Sequence, residues 1–532
     1  MTNRTTGLFT LALFAVASLV GIGCSSNAGP QSSLPAATVG GGSRHHHRGH
    51  PNGYGSVISH IFIIIQENRS LNNLFAGDTS LSGANTTLTG YEKVGSKQVQ
   101  VQLSPENLGG EPQDIDHCYY DAEVAIDGSS KPMDGFNNEY LGDPCGTTGK
   151  LAKLAPYAYV QQSAKSDVQP YWDIANNWVL GANFYPTELG PSFVAHLNLI
   201  ASTTEYKALT AVGDFPPSEP WGCGNVAKPP MRYVTPTVSP HPFQTGPPPC
   251  YDQFHTVADL LDCIYPSESN CSASNPVPWR YYAPGVKNSA STGYIWSAFQ
   301  AIKRVYGNGK GQDWKNDVIS PPGKIFHAIS SGALDNIGVT WIVPESAWSD
   351  HAGMDTDEGP SWVADITNAI GARTSLWNHS VIVVVWDDWG GWYDNAPPPT
   401  LTWGMGGLGQ YYRGYGIRTP LLILSPYAKQ GQDSGHVSLR SFESGSILKF
   451  IEQVFNFNSA GLAALPCKSS DYSYYSCDIQ YTDASSNSIG YVLDTSQSPR
   501  AYGTPIPTKY PPSKFMSGSG YYNYAVQAPD NE

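Results

Sequence analysis

Five short stretches carry side chains that could do chemistry together. Ile61-Phe62-Ile63-Ile64-Ile65 runs straight into Gln66-Glu67-Asn68-Arg69-Ser70, and Val381-Ile382-Val383-Val384-Val385-Trp386 runs straight into Asp387-Asp388-Trp389-Gly390-Gly391. Glu67, Asn68, Asp387 and Asp388 are hard oxygen donors, a ligand type that suits a hard divalent cation better than a thiolate-seeking one. Gly390-Gly391 would let backbone approach a ligand closely. The third stretch is Gly190-Pro191-Ser192-Phe193-Val194-Ala195-His196, with a helix predicted over 193–200. A serine there is ordinarily an N-cap. It can also be a nucleophile, because a helix N-terminus favours the anion it attacks and a cation on its Oγ would activate it. His117, after Asp116, and His351, after Ser349-Asp350, could donate to a phosphoryl oxygen or protonate a leaving group. Singly, each of these is ordinarily a polar strand end, a cap or a structural histidine. The case rests on the set.

The elements that must position them are continuous apolar runs. Residues 61–65, 339–343, 381–386 and 421–424 are β-branched or apolar throughout and bounded by polar residues, which predicts strands buried on both faces. Helical patterns at Trp362–Ile370 and Ser446–Phe455 alternate with them. Buried strands alternating with helices predict an α/β fold, a doubly wound, mostly parallel sheet. In such sheets sites form beyond the carboxyl ends of the strands, where Glu67 and Asp387 stand. The loop-rich segment of about 205–320, with four cysteines, is expected to be a cap insertion in a catalytic domain spanning 56–458. Residues 459–532, rich in Tyr, Ser and Pro, are expected to form an irregular extension.

The N-terminus reads as an address. Leu8 to Val20 is an apolar run of 13 residues, too short to span a bilayer, and leads to Gly23-Cys24-Ser25-Ser26. Residues 1–23 thus resemble a bacterial lipoprotein signal, with a lipid anchor on Cys24; ordinary cleavage is the other outcome. Residues 24–55, which include His45-His46-His47, read as a flexible linker. Nine cysteines less Cys24 leave eight, in near pairs: Cys118 and Cys145, Cys223 and Cys250, Cys263 and Cys271, Cys467 and Cys477. Sequential pairing in an oxidising compartment is expected, so the chain is expected to be exported, to the cell envelope or beyond. With Lys+Arg 30 against Asp+Glu 44, net −14, a nucleic-acid partner is not expected.

In order and spacing these stretches resemble a bacterial phosphoesterase family that holds non-specific phospholipases C and acid phosphatases. His60 to Ser70 resembles its opening strand and E-N-R-S motif. Asp116-His117 with Met133-Asp134-Gly135-Phe136, Gly190-Pro191-Ser192, Trp279-Arg280-Tyr281-Tyr282, Trp341 to Pro344 with Ser349-Asp350-His351, and Asp387 to Asp394 resemble further family segments, closed by Pro420–Pro426 and Ser446–Glu452. The resemblance implies an alkaline-phosphatase-like core and a divalent metal held by Glu67, Asn68, Asp387, Asp388 and nucleophile Ser192. His117 and His351 would contact the phosphoryl group. It implies a phosphate-ester substrate, either a phospholipid diester or a monoester, hydrolysed through a phosphoserine. The chain departs from the family in places: Asn395, Leu439 and Ser444 stand where it often has His, and Val194-Ala195 stands where it has Pro-Asn after the nucleophile, while His196 fits the following position seen in some members. On the strength of those departures the alternative is a catalytically weak surface-binding protein on the same fold. A serine acyl hydrolase is disfavoured, because no G-x-S-x-G elbow occurs.

Overall fold

Eight strands form the central sheet: β1 (His60–Gln66), β2 (Val179–Phe184), β3 (Trp279–Tyr282), β4 (Val318–Ile319), β5 (Val339–Ile342), β6 (Ser380–Trp386), β7 (Leu421–Leu424) and β8 (Val437–Phe442). They come from a computed structural model that describes residues 53–516, apart from 82, 111–113, 129, 131, 142–148, 219, 229, 236–243, 273, 287–292, 355, 400–413, 431–435 and 467–478. Their order is β4-β3-β5-β1-β6-β7-β2-β8, and every neighbouring pair is parallel except the two made by β7. The α/β, mostly parallel fold expected from the sequence is therefore present. All four predicted strands are found. The central two, β1 and β6, are buried at every position, as continuous apolar runs require.

The helices that matter below are α1 (Leu71–Phe75), α2 (Tyr119–Ile126), α3 (Gln169–Asn177), α4 (Ser192–Ala201), α5 (Gly359–Ala372) and α6 (Ser444–Val454). Strand alternation sorts them onto two faces. Ile63 pairs with Trp341 and Gln66 with Trp386, so these two pairs point to opposite sides. The Trp341 indole donates to the Leu199 carbonyl of α4 (3.3 Å), whereas the Gln66 amide donates to Tyr171 of α3 (2.8 Å). Helices thus cover both faces, which is the doubly wound arrangement. α6 starts two residues before the sequence pattern does, because the Glu443 side chain caps it by accepting from the Gly445 N–H (2.8 Å).

Within the segment of about 205–320, Glu205–Lys207, Thr210–Val212, Met231–Val234 and Gln244–Gly246 form a separate four-stranded antiparallel sheet, whereas β3 and β4 belong to the edge of the central sheet. Trp279-Arg280-Tyr281-Tyr282 escapes an apolar-run search because Arg280 interrupts it, pairing with Asp317 at 2.6 Å beside the strand edge. Cys223–Cys250 and Cys263–Cys271 are disulfides, as sequential pairing predicts, and Cys118 is also disulfide-bonded. The leader, the linker as far as 52, Cys24, Cys145, Cys467 and Cys477 lie outside the described residues. The described part of 459–516 contains short helical turns only. No helix among the described residues is long and apolar enough to cross a membrane.

Candidate active site

The register of β1 against β6 builds the site. Gln66 lies opposite Trp386, so the next residues, Glu67 and Asp387, leave the sheet side by side. The chains stay laced there. The Asp387 N–H donates to the Gln66 carbonyl (3.0 Å), the Asn68 N–H donates to Asp387 Oδ1 (3.1 Å), and the Arg69 N–H donates to the Asp388 carbonyl (3.0 Å). Asn68 adopts a left-handed backbone (φ 56°) to make this turn. Gly390, also left-handed (φ 61°), packs so closely that a Cβ would sit 2.3 Å from the Asn68 carbonyl oxygen. A side chain at 390 would push the two strand ends apart, which is the physical reason for glycine here.

Ser192 begins α4, and its hydroxyl is not a cap. It donates within reach of Asn68 Oδ1 (3.3 Å) and Asp388 Oδ2 (3.2 Å). The cap that the sequence left open is not made, and the hydroxyl points at the strand ends instead. One turn later on the same helix face stands His196, whose Nε2 lies 2.8 Å from Glu67 Oε1 and 3.7 Å from Asp387 Oδ2. Ligand atoms of Glu67, His196 and Asp387 all fall within 4.8 Å of one another. His196 was not in the expected ligand set. Its i+4 spacing from Ser192 is the signal that could have placed it there.

The expected ligands therefore gather as two adjoining groups: Glu67 and Asp387 with His196, and Asn68 and Asp388 with Ser192. Three carboxylates buried this deeply are costly unless a cation or hydrogen-bond donors compensate them. Asp387 Oδ2 accepts no hydrogen bond among the described residues. Carboxylate, amide and hydroxyl oxygens with one imidazole form a donor set that fits a divalent cation.

His117 and His351 face each other edge to face, with ring centroids 6.2 Å apart. In each, Nδ1 lies against a backbone carbonyl, Ile115 at 2.6 Å and Ala352 at 2.7 Å. A carbonyl only accepts, so Nδ1 carries the proton and Nε2 is left for the site. In His117 that atom meets the Asn68 amide nitrogen at 2.9 Å. Asn68 thus links His117 to Ser192. Trp296 stacks on the His351 ring (5.8 Å, 25°). Asp350, also left-handed (φ 73°), is held by Tyr171 Oη (2.6 Å) and by the Trp386 indole (3.1 Å), and burial pushes its carboxyl up to about 6. The Arg69 guanidinium fixes the same turn by donating to the Asp350 carbonyl (2.8 Å).

Behind His117, burial raises the carboxyls of Asp121 and Glu139 well above the usual range, and their neighbours Asp116 and Asp121 push in the same direction. Burial thus works against negative charge on these two groups, next to a site read as one for an anion. Of the departures from the family, Val194-Ala195 lie on α4 just after Ser192 and the three at histidine positions lie elsewhere. Asn395 Oδ1 accepts from buried Arg418 (3.0 Å), Leu439 is 44% exposed on edge strand β8, and Ser444 is the first residue of α6. None touches Ser192, His117 or His351 through a described hydrogen bond.

Residues 58–458 match the family model of the Phosphoesterase family, so the chain belongs to that family. Among curated relatives, the non-specific phospholipase C3 of Arabidopsis thaliana is 32% identical over 129 residues, 22% of this chain and 24% of the relative. The non-hemolytic phospholipase C of Pseudomonas aeruginosa is 29% identical over 143 residues, 22% of this chain and 20% of the relative. Phospholipase C A of Mycobacterium tuberculosis is 19% identical over 414 residues, 71% of this chain and 69% of the relative. The match thus spans only about a fifth to a quarter of the first two relatives. A solved protein of the alkaline phosphatase superfamily from Vibrio parahaemolyticus is 10% identical, with TM-score 0.28 over 54% of this chain and 60% of its own.

Proposed function

We propose that the chain is an exported, metal-dependent phosphoesterase that hydrolyses phosphate esters through a phosphoserine on Ser192, with phospholipid diesters the favoured substrate class. The observation that carries this is the placement of the Ser192 hydroxyl. It stands at a helix N-terminus, makes no cap, and lies between Asn68 Oδ1 and Asp388 Oδ2. Geometry supports two roles. Asn68 and Asp388 orient the hydroxyl, and the Asp388 carboxylate can take its proton. With Nδ1–H held by a backbone carbonyl in each, the Nε2 atoms of His117 and His351 face the site as bases, and only after taking up a proton there would they donate to a phosphoryl oxygen or to the leaving oxygen. A divalent cation held by Glu67, Asp387 and their neighbours, including Asn68, Asp388 and Ser192, would supply positive charge to the phosphoryl oxygens and favour ionisation of the serine. The α4 N-terminus adds to that potential.

The names of the relatives favour diesters over monoesters. Export is supported by the two disulfides and by disulfide-bonded Cys118; anchoring through a lipid on Cys24 belongs to the same proposal. The test is turnover of p-nitrophenyl phosphorylcholine against p-nitrophenyl phosphate, with acid quench and peptide mass analysis. The expected result is faster diester turnover and an adduct on the Ser192 peptide of about 165 Da from the diester, which keeps its phosphorylcholine as p-nitrophenolate leaves, and of about 80 Da, the mass of HPO3, from the monoester. Turnover with no adduct would replace the covalent route by direct attack of water. No turnover of either ester would leave the surface-binding alternative.

A further inference from the structure

Beside the catalytic loop stands a two-stranded antiparallel ribbon, Thr89–Val94 with Lys97–Gln102. Its root is fixed. A Cβ on Gly90 would lie 2.8 Å from the Tyr393 ring, and Tyr157 Oη donates to the Tyr91 carbonyl (2.8 Å). Tyr393 closes the segment that starts at Asp387, and its ring packs with Phe136 (5.0 Å), which also packs on Trp389 (5.7 Å). The ribbon is therefore mounted on the wall of the site.

Its outer half is unlike the rest of the surface. Eleven large apolar side chains are exposed among the described residues, and six of them lie here: Leu88, Tyr91, Val94 and Val99 on or beside the ribbon, with Leu151 and Leu154 next to it. Val94 and Leu154 are 53% and 58% exposed. The two pieces are joined through Asn137, which donates to the Lys93 carbonyl (2.9 Å) and whose own carbonyl accepts from the Lys153 N–H (3.2 Å). Cross-strand register puts Tyr91 on one face of the ribbon and Val94 and Val99 on the other. A protruding ribbon with apolar side chains on both faces buries little in water. Lys97, Lys150 and Lys153 are exposed around it, and none pairs with a carboxylate among the described residues. On a chain of net −14 this is a local cationic fringe on an apolar tip.

We infer that this ribbon, with Leu151 and Leu154, is a docking surface for a phospholipid bilayer, set so that the adjoining site meets headgroups. The choice of a phospholipid surface rests on the phosphoesterase reading. Charge favours it over a second copy of this chain: lysines would face lysines across a symmetric contact, whereas they face phosphates at a membrane. Tyr91 suits the interface because its ring is apolar and its hydroxyl is not.

The test uses the full chain and phosphatidylcholine vesicles. Wild type and the triple variant Tyr91→Ser, Val94→Ser, Val99→Ser are sedimented with vesicles, and both are assayed on soluble p-nitrophenyl phosphorylcholine. These side chains are exposed, so the soluble rate is expected to stay within about 2-fold, while vesicle partition falls by about 10-fold or more. Leu154→Ser alone should give a smaller drop in the same direction. Equal partition of wild type and variant, or no wild-type partition at all, overturns the docking surface whatever the soluble rate. A wild-type dimer that the triple variant abolishes, with no change on vesicles, overturns it in favour of self-association. Vesicle binding lost in the variant, with no soluble turnover in wild type, would support the docking surface while removing the phosphoesterase reading.

Discussion

Compared with the buried carboxylates at the start of α6, those at the ends of β1 and β6 have the form of a site. Glu443, Glu452 and Asp483 meet where α6 contacts the C-terminal segment. There the Glu443 and Asp483 oxygens are held by fixed backbone and hydroxyl donors, although Glu452 Oε1 accepts no hydrogen bond among the described residues. Glu443 accepts from the Gly445 N–H (2.8 Å), Thr482 Oγ1 (3.1 Å) and the hydroxyls of Thr187 and Ser486, and Asp483 accepts from Ser202 Oγ (2.6 Å) and the Leu462 N–H (3.0 Å). Glu67, Asp387 and Asp388 are buried as deeply, but imidazole, amide and hydroxyl side chains face them. Burial alone does not make carboxylates functional. What matters is whether rigid backbone and hydroxyl donors use them up or groups that bind cations and move protons face them.

The largest expected effect lies on the second cluster. Ser192→Ala should lower kcat by about 10³-fold, ~4 kcal/mol of barrier, with thermal stability unchanged. Retention of more than a tenth of the rate would falsify the nucleophile. Glu67→Ala and Asp387→Ala should each lose bound metal as measured by elemental analysis, with kcat down by at least ~10²-fold. Full metal content in both variants would move the site away from the strand ends.

The structural cluster should respond the other way. Glu443→Ala removes the cap and strands its donors, so unfolding should cost about 2–3 kcal/mol less, while kcat per folded molecule holds. Burial raises the Glu443 carboxyl to about 7 from 4.5. Its folded form thus holds a proton that the unfolded chain releases between those values. Its contribution is complete below about pH 4.5 and is lost as pH rises through about 7, over a span of at most about 3 kcal/mol. Glu443→Gln should flatten that part of the stability–pH curve measured by denaturant titration, and an unchanged slope would assign the dependence to other groups. The smallest effect is expected for Asn395→His, which restores the family residue beside Arg418. Its kcat should change by less than about 3-fold, since Asn395 bonds Arg418 rather than a site residue. A gain of ten-fold or more would make that position part of the site.

Much of this was readable in sequence because strong local patterns coincide with function. Continuous apolar runs mark β1, β5, β6 and β7, since strands covered on both faces have no polar side to show. A parallel sheet puts strand ends at its site, which is why Glu67 and Asp387 could be named from position alone. The strands without that pattern were missed: β3 carries Arg280, β4 is two residues long, and β2 and β8 include Gly181, Asn183 and Arg440.

The sequence by itself determined the element types, the two strand-end acidic motifs and the serine after Gly190-Pro191, because each depends on neighbours a few residues away. Only tertiary structure decided that the Ser192 hydroxyl turns to Asn68 and Asp388 instead of capping α4, that His196 joins Glu67 and Asp387, and that Asn395 turns toward Arg418. Each of those depends on groups more than twenty residues apart in the chain. The β1–β6 register and the packing of α4 against the sheet bring the first two sets together, and no local pattern encodes such a meeting.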